Sequence, residues 1–474
     1  MTGAGMSSLE RAALAVLLPG FGGTSLGDGP RRLLDEGLGG VCLYGANTAD
    51  GPDAVAALTA AINEVAGAVV AVDEEGGDVT RLHAAEGSPV LGALALGAAD
   101  DLALTRQVGR QIGSELAALG VTMTLAPVAD VNSRPDNPVI GTRSFGTDPD
   151  RVAAHVAAWT GGVQGAGAAA CVKHWPGHGD TDLDSHLDLP RLDAGDALLH
   201  RRELAPFRAA VEAGVAAVMT AHIVVPAWDP DRPATLSATA LARLRDELGF
   251  TGVLVSDALD MAGASAAIGI PGAAVLALAA GCDLLCLGAD PGAADAEVRL
   301  VRDVQAAIVA AVHDGRLPEE RLAEAAGRVA ALPRPAPGQR YDEADPVLLR
   351  AGAAAAVTLE GTLPDLRGAR VVRVDSPGTI AVGDVPWGLP VDGPFDELPD
   401  GLPALPLVVQ VRDAHRQPHV AEALARVAGR DAVVVEWGWP GPATTGLPRI
   451  CSRGWSRPGR SAVEELLRSA GWDR

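Results

Sequence analysis

AACVKHWPGHGDTDLDSH, residues 169–186, opens as a short apolar run and breaks at Lys173 into a loop forced by Pro176, Gly177 and Gly179. Seven more short runs have the same character, at residues 14–18, 41–44, 69–73, 121–126, 216–220, 253–257 and 282–287. The stretches between them are Ala/Leu-rich, as in DALLHRRELAPFRAAVEAG, with apolar residues at i, i+3, i+4 and i+7, the spacing of an amphipathic helix. Strands alternating with helices predict right-handed βαβ units and a parallel sheet. Eight of them in about 290 residues fit a closed (β/α)8 TIM-type barrel. A doubly wound open sheet is the runner-up, but no glycine fingerprint follows the first run. Asp73, Asp130, Lys173 with His174, His222 and Asp257 all fall at or just after the C-terminal ends of these runs, the end of a barrel that carries chemistry.

The chain is long enough for such a barrel and a second unit, with 474 residues, 48% of them hydrophobic. Residues 331–346, rich in proline and charge, read as a break. The expected division is a barrel over 1–334, a linker over 335–350 and a small α/β domain over 351–474. In that domain residues 369–374, 407–411 and 431–436 are strand candidates, HVAEALARVAGR is a helix, and 384–406 is expected to be irregular surface. The domain is expected to be structural and to supply no catalytic group. A net charge of −22 repels phosphate backbones and anionic membranes, so neither nucleic acid nor membrane is an expected partner. Five cysteines are an odd number for disulfides, and four lie in apolar runs, so they read as reduced thiols packed as small hydrophobes. With no signal-peptide pattern and no membrane-length apolar stretch, a cytoplasmic protein is expected. Nothing in the sequence sets the oligomeric state.

The loop KHWPGHGDTDLDSH packs three histidines, three aspartates and a lysine into fourteen residues. A solvated charged loop would account for it, as would a metal site at His174, His178 and His186, although the spacing does not fix tetrahedral geometry. Acid–base chemistry accounts for it better. Asp184 stands two residues before His186, close enough to orient its imidazole, and a histidine so paired can both give and take a proton near neutral pH. Asp257 ends an apolar strand in GFTGVLVSDALDM; it would serve there as a helix N-cap or as a carboxylate at the barrel mouth.

These segments resemble the glycoside hydrolase family 3 β-N-acetylglucosaminidases. KHWPGHGDTDLDSH is similar to that family's signature loop, and VDEEGGDVTRL, APVADVNSRPDNPVIGTRSFG and VLVSDALDM follow its other motifs in order, over residues 10–335. The loop has Trp175 where the family has phenylalanine. The resemblance implies Asp257 as nucleophile, His186 as acid/base and Asp184 as its partner. It also implies Asp73, Arg81, Arg143, Lys173 and His174 as sugar-binding groups, with no metal or organic cofactor. The expected activity is exo-hydrolysis of a terminal β-linked N-acetylglucosamine with retention, through a covalent glycosyl-aspartate. Cell-wall (muropeptide) or chitin-derived fragments are the implied substrates. A neutral imidazole would not repel phosphate, so a phosphorylase acting on β-N-acetylglucosaminides or β-glucosides is one alternative, and a non-catalytic sugar-binding barrel another. The glycines of the loop suggest that it moves during the cycle.

Overall fold

The computed structural model describes residues 6–65, 67–183, 189–289, 295–336, 338–383, 385–391 and 405–474. Each of the eight expected runs contains a strand: β1 Leu17–Leu18, β2 Gly40–Leu43, β3 Val69–Val72, β4 Met123–Thr124, β5 Ala169–Trp175, β6 Ala217–Thr220, β7 Val253–Val255 and β8 Leu285–Cys286. Strands β2 to β7 pair in parallel, each with the next, and β1 pairs in parallel with β8. The ring closes through a parallel bridge between Val255 and Leu284 and through the Cys42 N–H donating to the Pro19 carbonyl at 2.9 Å. Helices Asp28–Asp35, Pro52–Val65, Leu102–Ala118, Pro149–Gly165, Leu204–Glu212, Ala238–Ala242, Gly269–Ala280 and Ala296–His313 follow the strands in turn. This is a TIM-type (β/α)8 barrel, followed by a smaller α/β domain.

Six of the strands are shorter than their apolar runs. In the run at 14–18, Leu14 closes helix Ser8–Leu14, which the capping box between Ser7 and Glu10 starts early. In the run at 121–126, Pro127 follows directly and has no N–H to continue the ladder. Strand β5 instead runs past Lys173 to Trp175, so Lys173 and His174 belong to the strand itself.

Successive strand residues point to opposite faces. The barrel interior is filled by one alternation: Val69 and Ala71, Ala169 and Cys171, Ala217 and Met219, Val253 and Val255, with Cys42, Met123 and Cys286. Two residues further along the same alternation stand Asp73, Lys173 and Asp257, so the inward face changes from apolar to charged at the barrel mouth. All five cysteines are buried and unpaired, three of them in this interior.

Residues 341–350 of the expected linker do not swing free. The Tyr341 hydroxyl accepts from Gln111 Nε2 at 2.6 Å, and the Asp342 carbonyl from Ser114 Oγ at 3.2 Å. Asp345 then caps helix Pro346–Ala356, which begins inside this stretch. The second domain is a five-stranded sheet. Its strands are β9 Thr358–Glu360, β10 Arg370–Arg373, β11 Leu407–Val411, β12 Ala432–Glu436 and β13 Arg449–Cys451, in spatial order β9-β13-β12-β11-β10. Helices Pro418–Val427 and Arg457–Ser469 flank it. The sequence pattern missed β9 and β13, which are short and carry charge. Pro458 in the last helix occupies its first turn, where a missing N–H costs nothing. Of residues 384–406, only 385–391 and 405–406 are described; Leu389 there is buried rather than on the surface.

Asp78 locks the domains together. Its carboxylate accepts from Thr142 Oγ1 at 2.7 Å and from the Trp455 N–H at 3.1 Å, and it pairs with the buried Arg412. Removing one partner of a buried pair strands the other charge. Asp78→Ala is therefore expected to lower stability by about 3–5 kcal/mol, read from the midpoint of urea denaturation; a loss below 1 kcal/mol would mean the lock is not energetically important.

Candidate active site

The charged layer at the mouth begins with Lys173, which is 3% exposed. Its Nζ lies 2.6 Å from Asp73 Oδ1 and 2.8 Å from Glu75 Oε1. Glu75 in turn takes two bonds from Arg143, at 2.7 Å from Nη2 and 3.0 Å from Nε, the paired geometry that fits a guanidinium to a carboxylate. Burial works against charge on all four groups. For Asp73, Lys173 and Arg81 outweigh it and hold the carboxyl below its ordinary range. Arg143 and Lys173 do the same for Glu75 far more strongly. The neighbouring carboxylates raise Lys173 above the usual lysine value. All four stay ionised at neutral pH.

A second cluster hangs from Asp130, which is fully buried. Its Oδ2 lies 2.7 Å from His174 Nδ1, and its Oδ1 accepts the His178 N–H at 2.7 Å. One carboxylate thus fixes the orientation of His174 and the start of the loop. The Asn137 side-chain amide donates to the carbonyls of His178, at 2.9 Å, and Thr181, at 3.1 Å. The His178 ring meets Thr181 Oγ1 at 2.6 Å, and burial pushes its pKa down to about 4, so it is neutral. Gly177 and Gly179 pack closely against their surroundings here. A Cβ on Gly179 would sit 1.9 Å from the Val131 carbonyl, and Gly177, at φ +136°, would place one 2.6 Å from Glu203. Asp184 and His186 lie outside the described residues. Among the described residues no group of three His, Cys, Asp or Glu side chains could hold a metal ion.

Asp257 follows β7 by two residues and is half-buried. Its Oδ1 accepts the Ala258 N–H at 2.8 Å, and helix Ala262–Ser265 begins only later, so it is not that helix's N-cap. His222 stays behind the site, fully buried, with Nε2 on the Ala258 carbonyl at 3.0 Å and Nδ1 on Thr235 Oγ1. It steadies the turn that carries Asp257.

Asp73, Arg81, Arg143, Lys173, His174 and Asp257 all line one cavity of about 450 Å³ at the C-terminal mouth of the barrel. That is room for a small molecule held by several convergent polar groups. The sequence reading did not single out Glu75, which the alternation places beside Asp73, or Tyr44. It also did not anticipate Ile380 and Ala381, which the second domain contributes to the cavity wall.

Residues 27–332 match the glycosyl hydrolase family 3 N terminal domain. The β-hexosaminidase of Alkalilimnicola ehrlichii is 39% identical over 301 residues, which span 61% of this chain and 85% of that protein. β-Hexosaminidase A of Pseudoalteromonas piscicida is 36% identical over 56% of this chain, which spans less than half, 46%, of that protein. Among solved structures, a glycoside hydrolase family 3 β-N-acetylglucosaminidase from Paenibacillus sp. has a TM-score of 0.86 at 30% identity, covering 98% of this chain and 97% of that one. NagZ from Neisseria gonorrhoeae, solved with N-trifluoroacetyl-D-glucosamine, has a TM-score of 0.60 at 31% identity, covering 72% of this chain and 96% of that one.

Beneath the loop, Glu203 is buried with Oε2 unpartnered, while Arg202 bridges its other oxygen to Asp180. Burial raises this carboxyl to about 7 in spite of Arg202. An acid raised on folding contributes its stability below the unfolded value, near 4.3, and loses it as pH climbs toward 7. Stability of the native chain is expected to fall between pH 5 and pH 8, and Glu203→Gln to reduce that fall. Urea midpoints of both proteins at the two pH values check this; identical pH dependence would refute it.

Proposed function

Because the chain belongs to glycosyl hydrolase family 3 through its N-terminal domain, we propose that this glycoside hydrolase is a retaining exo-β-N-acetylglucosaminidase. The observation that carries the reading is the single cavity lined by Asp257 together with Asp73, Arg81, Arg143, Lys173 and His174. Asp257 attacks the anomeric carbon and forms a glycosyl-aspartate. His186, paired with Asp184, protonates the leaving oxygen and then activates water. Asp73 and Arg81 bind the ring hydroxyls with Lys173, Arg143 and His174. Glu75 keeps Lys173 and Arg143 charged and in place, so the donors are set before the sugar arrives. Muropeptide fragments or chitin-derived oligosaccharides are the proposed substrates. Five buried, unpaired thiols suit a reducing compartment and support a cytoplasmic location, and no described helix is long and apolar enough to cross a membrane.

Release of the aryl group from an aryl β-N-acetylglucosaminide, beside the aryl β-glucoside and with and without phosphate, tests the reading. Fast, phosphate-independent release from the acetamido sugar alone is expected, with the β-anomer formed first in the NMR spectrum. Phosphate stimulation with a sugar 1-phosphate product would make the enzyme a phosphorylase. Asp257→Ala is expected to lower kcat by about 10⁴-fold or more, and His186→Ala by about 10²–10⁴-fold. Undiminished turnover in Asp257→Ala would overturn the nucleophile assignment.

A further inference from the structure

The second domain enters the site through one tight turn. The Val382 and Gly383 N–H groups both donate to the Thr379 carbonyl at 3.1 Å, which folds residues 379–383 into a compact projection. Its two sides face different spaces. Ile380 and Ala381 line the catalytic cavity, while Val382 and Gly383 line a second cavity of about 1050 Å³ on the seam between the domains. Tyr44 and Arg81 line both, so the two cavities adjoin there. The turn is tied to the barrel at that boundary: Arg81 Nη2 donates to the Ala381 carbonyl at 2.8 Å and Nη1 to the Val382 carbonyl at 3.4 Å. The projection is a partition, and Ile380, 53% exposed, is its only large apolar side chain on the catalytic side.

The barrel decides which part of a sugar this partition meets. In a ring of eight strands, β3 and β7 are four apart and stand opposite each other. With C1 at Asp257 after β7, the opposite side of the cavity is the one lined by Asp73 and Arg81 after β3, where the turn sits. We propose that the second domain is part of the substrate site: Ile380 and Ala381 form the end wall against the remote edge of the terminal sugar and set how large a substituent its 4- and 6-hydroxyls can carry. This rests on the nucleophile reading of Asp257. The space beyond the wall gives a substituent somewhere to go once the wall is lowered.

The test compares aryl β-N-acetylglucosaminide with its 6-O-acetyl derivative and with the aryl β-chitobioside, in the native enzyme and in Ile380→Ala and Ile380→Trp. The native enzyme is expected to disfavour the 6-O-acetyl sugar and to release aryl from the chitobioside only after a lag, once the terminal sugar has gone. In Ile380→Ala the ratio of kcat/KM for the 6-O-acetyl over the unsubstituted substrate is expected to rise at least about fivefold. Chitobiose should then be detected as a direct product. Ile380→Trp is expected to move the ratio the other way. Because Ile380 is half-exposed, a purely structural role would shift the melting temperature and leave these ratios alone. Ratios within twofold of native in both variants would overturn the wall. Calorimetric binding of N-acetylglucosamine and its 6-O-acetyl derivative to the same three proteins repeats the comparison without turnover. Silence toward the unsubstituted aryl sugar would therefore count against the hydrolase reading, while the binding ratio still decides on the wall.

Discussion

A lysine ammonium buried at the axis of a barrel must be neutralised on the spot, and the site is organised around that need. The alternation Ala169, Cys171, Lys173 on β5 points the side chain into the barrel interior, where it is 3% exposed. Removing an ion from water costs several kcal/mol after relaxation, and only well-placed partners return it. Asp73 and Glu75 are those partners, at 2.6 and 2.8 Å. Two carboxylates around one cation leave an excess of negative charge, which Arg143 balances from the loop after β4. The loops after β3 and β4 thus have their positions dictated by a charge on β5. A hydroxyl-rich ligand entering this cavity meets donors and acceptors whose geometry is already fixed, so little ordering remains to be done on binding.

The second domain extends the same logic outward. Asp78 sits three residues beyond Glu75, on the far side of the same loop, and is held by Thr142 from the neighbouring loop and by Arg412 and the Trp455 N–H from the other domain. Thr142 adjoins Arg143. The loops that bear Glu75 and Arg143 are therefore tied together twice, once inside the cavity by the salt bridge and once outside it by Asp78. Arg81, further along the first loop, is held by carbonyls of the second domain and by Glu74, which accepts its backbone N–H at 2.9 Å. The second domain, expected to be structural, is continuous with the supports of the site.

What could be read from the sequence divides along physical lines. Apolar strands announce themselves because burial on both faces demands unbroken hydrophobic runs, so all eight barrel strands were visible. Their ends were not, since caps and prolines such as Ser7 and Pro127 set them. Charged residues at strand ends stood out for the same reason, as breaks in apolar runs. Glu75 was passed over because its role lies in pairing with Arg143, 68 residues away, and no local spacing encodes that. Strands β9 and β13 pair with each other across the domain edge, where short strands need no hydrophobic pattern. Ile380 is an isoleucine in a glycine- and proline-rich stretch, and only the docking of two domains brings it to the cavity.

The loop after β5 shows how the same residues support different readings before and after the fold is known. Gly177 and Gly179 suggest freedom when read as sequence, but each occupies a place that a side chain could not enter. From Lys173 to Thr181 the chain is pinned by Asp130, Asn137 and the mutual contact of His178 and Thr181. The last of these anchors stands five residues before His186. Five residues span at most about 17 Å. The anchors therefore fix the chain as far as Thr181. A substitution at Asp130 or Asn137 acts on the orientation of His174 and, through His178 and Thr181, on the path of the chain that leaves the barrel mouth.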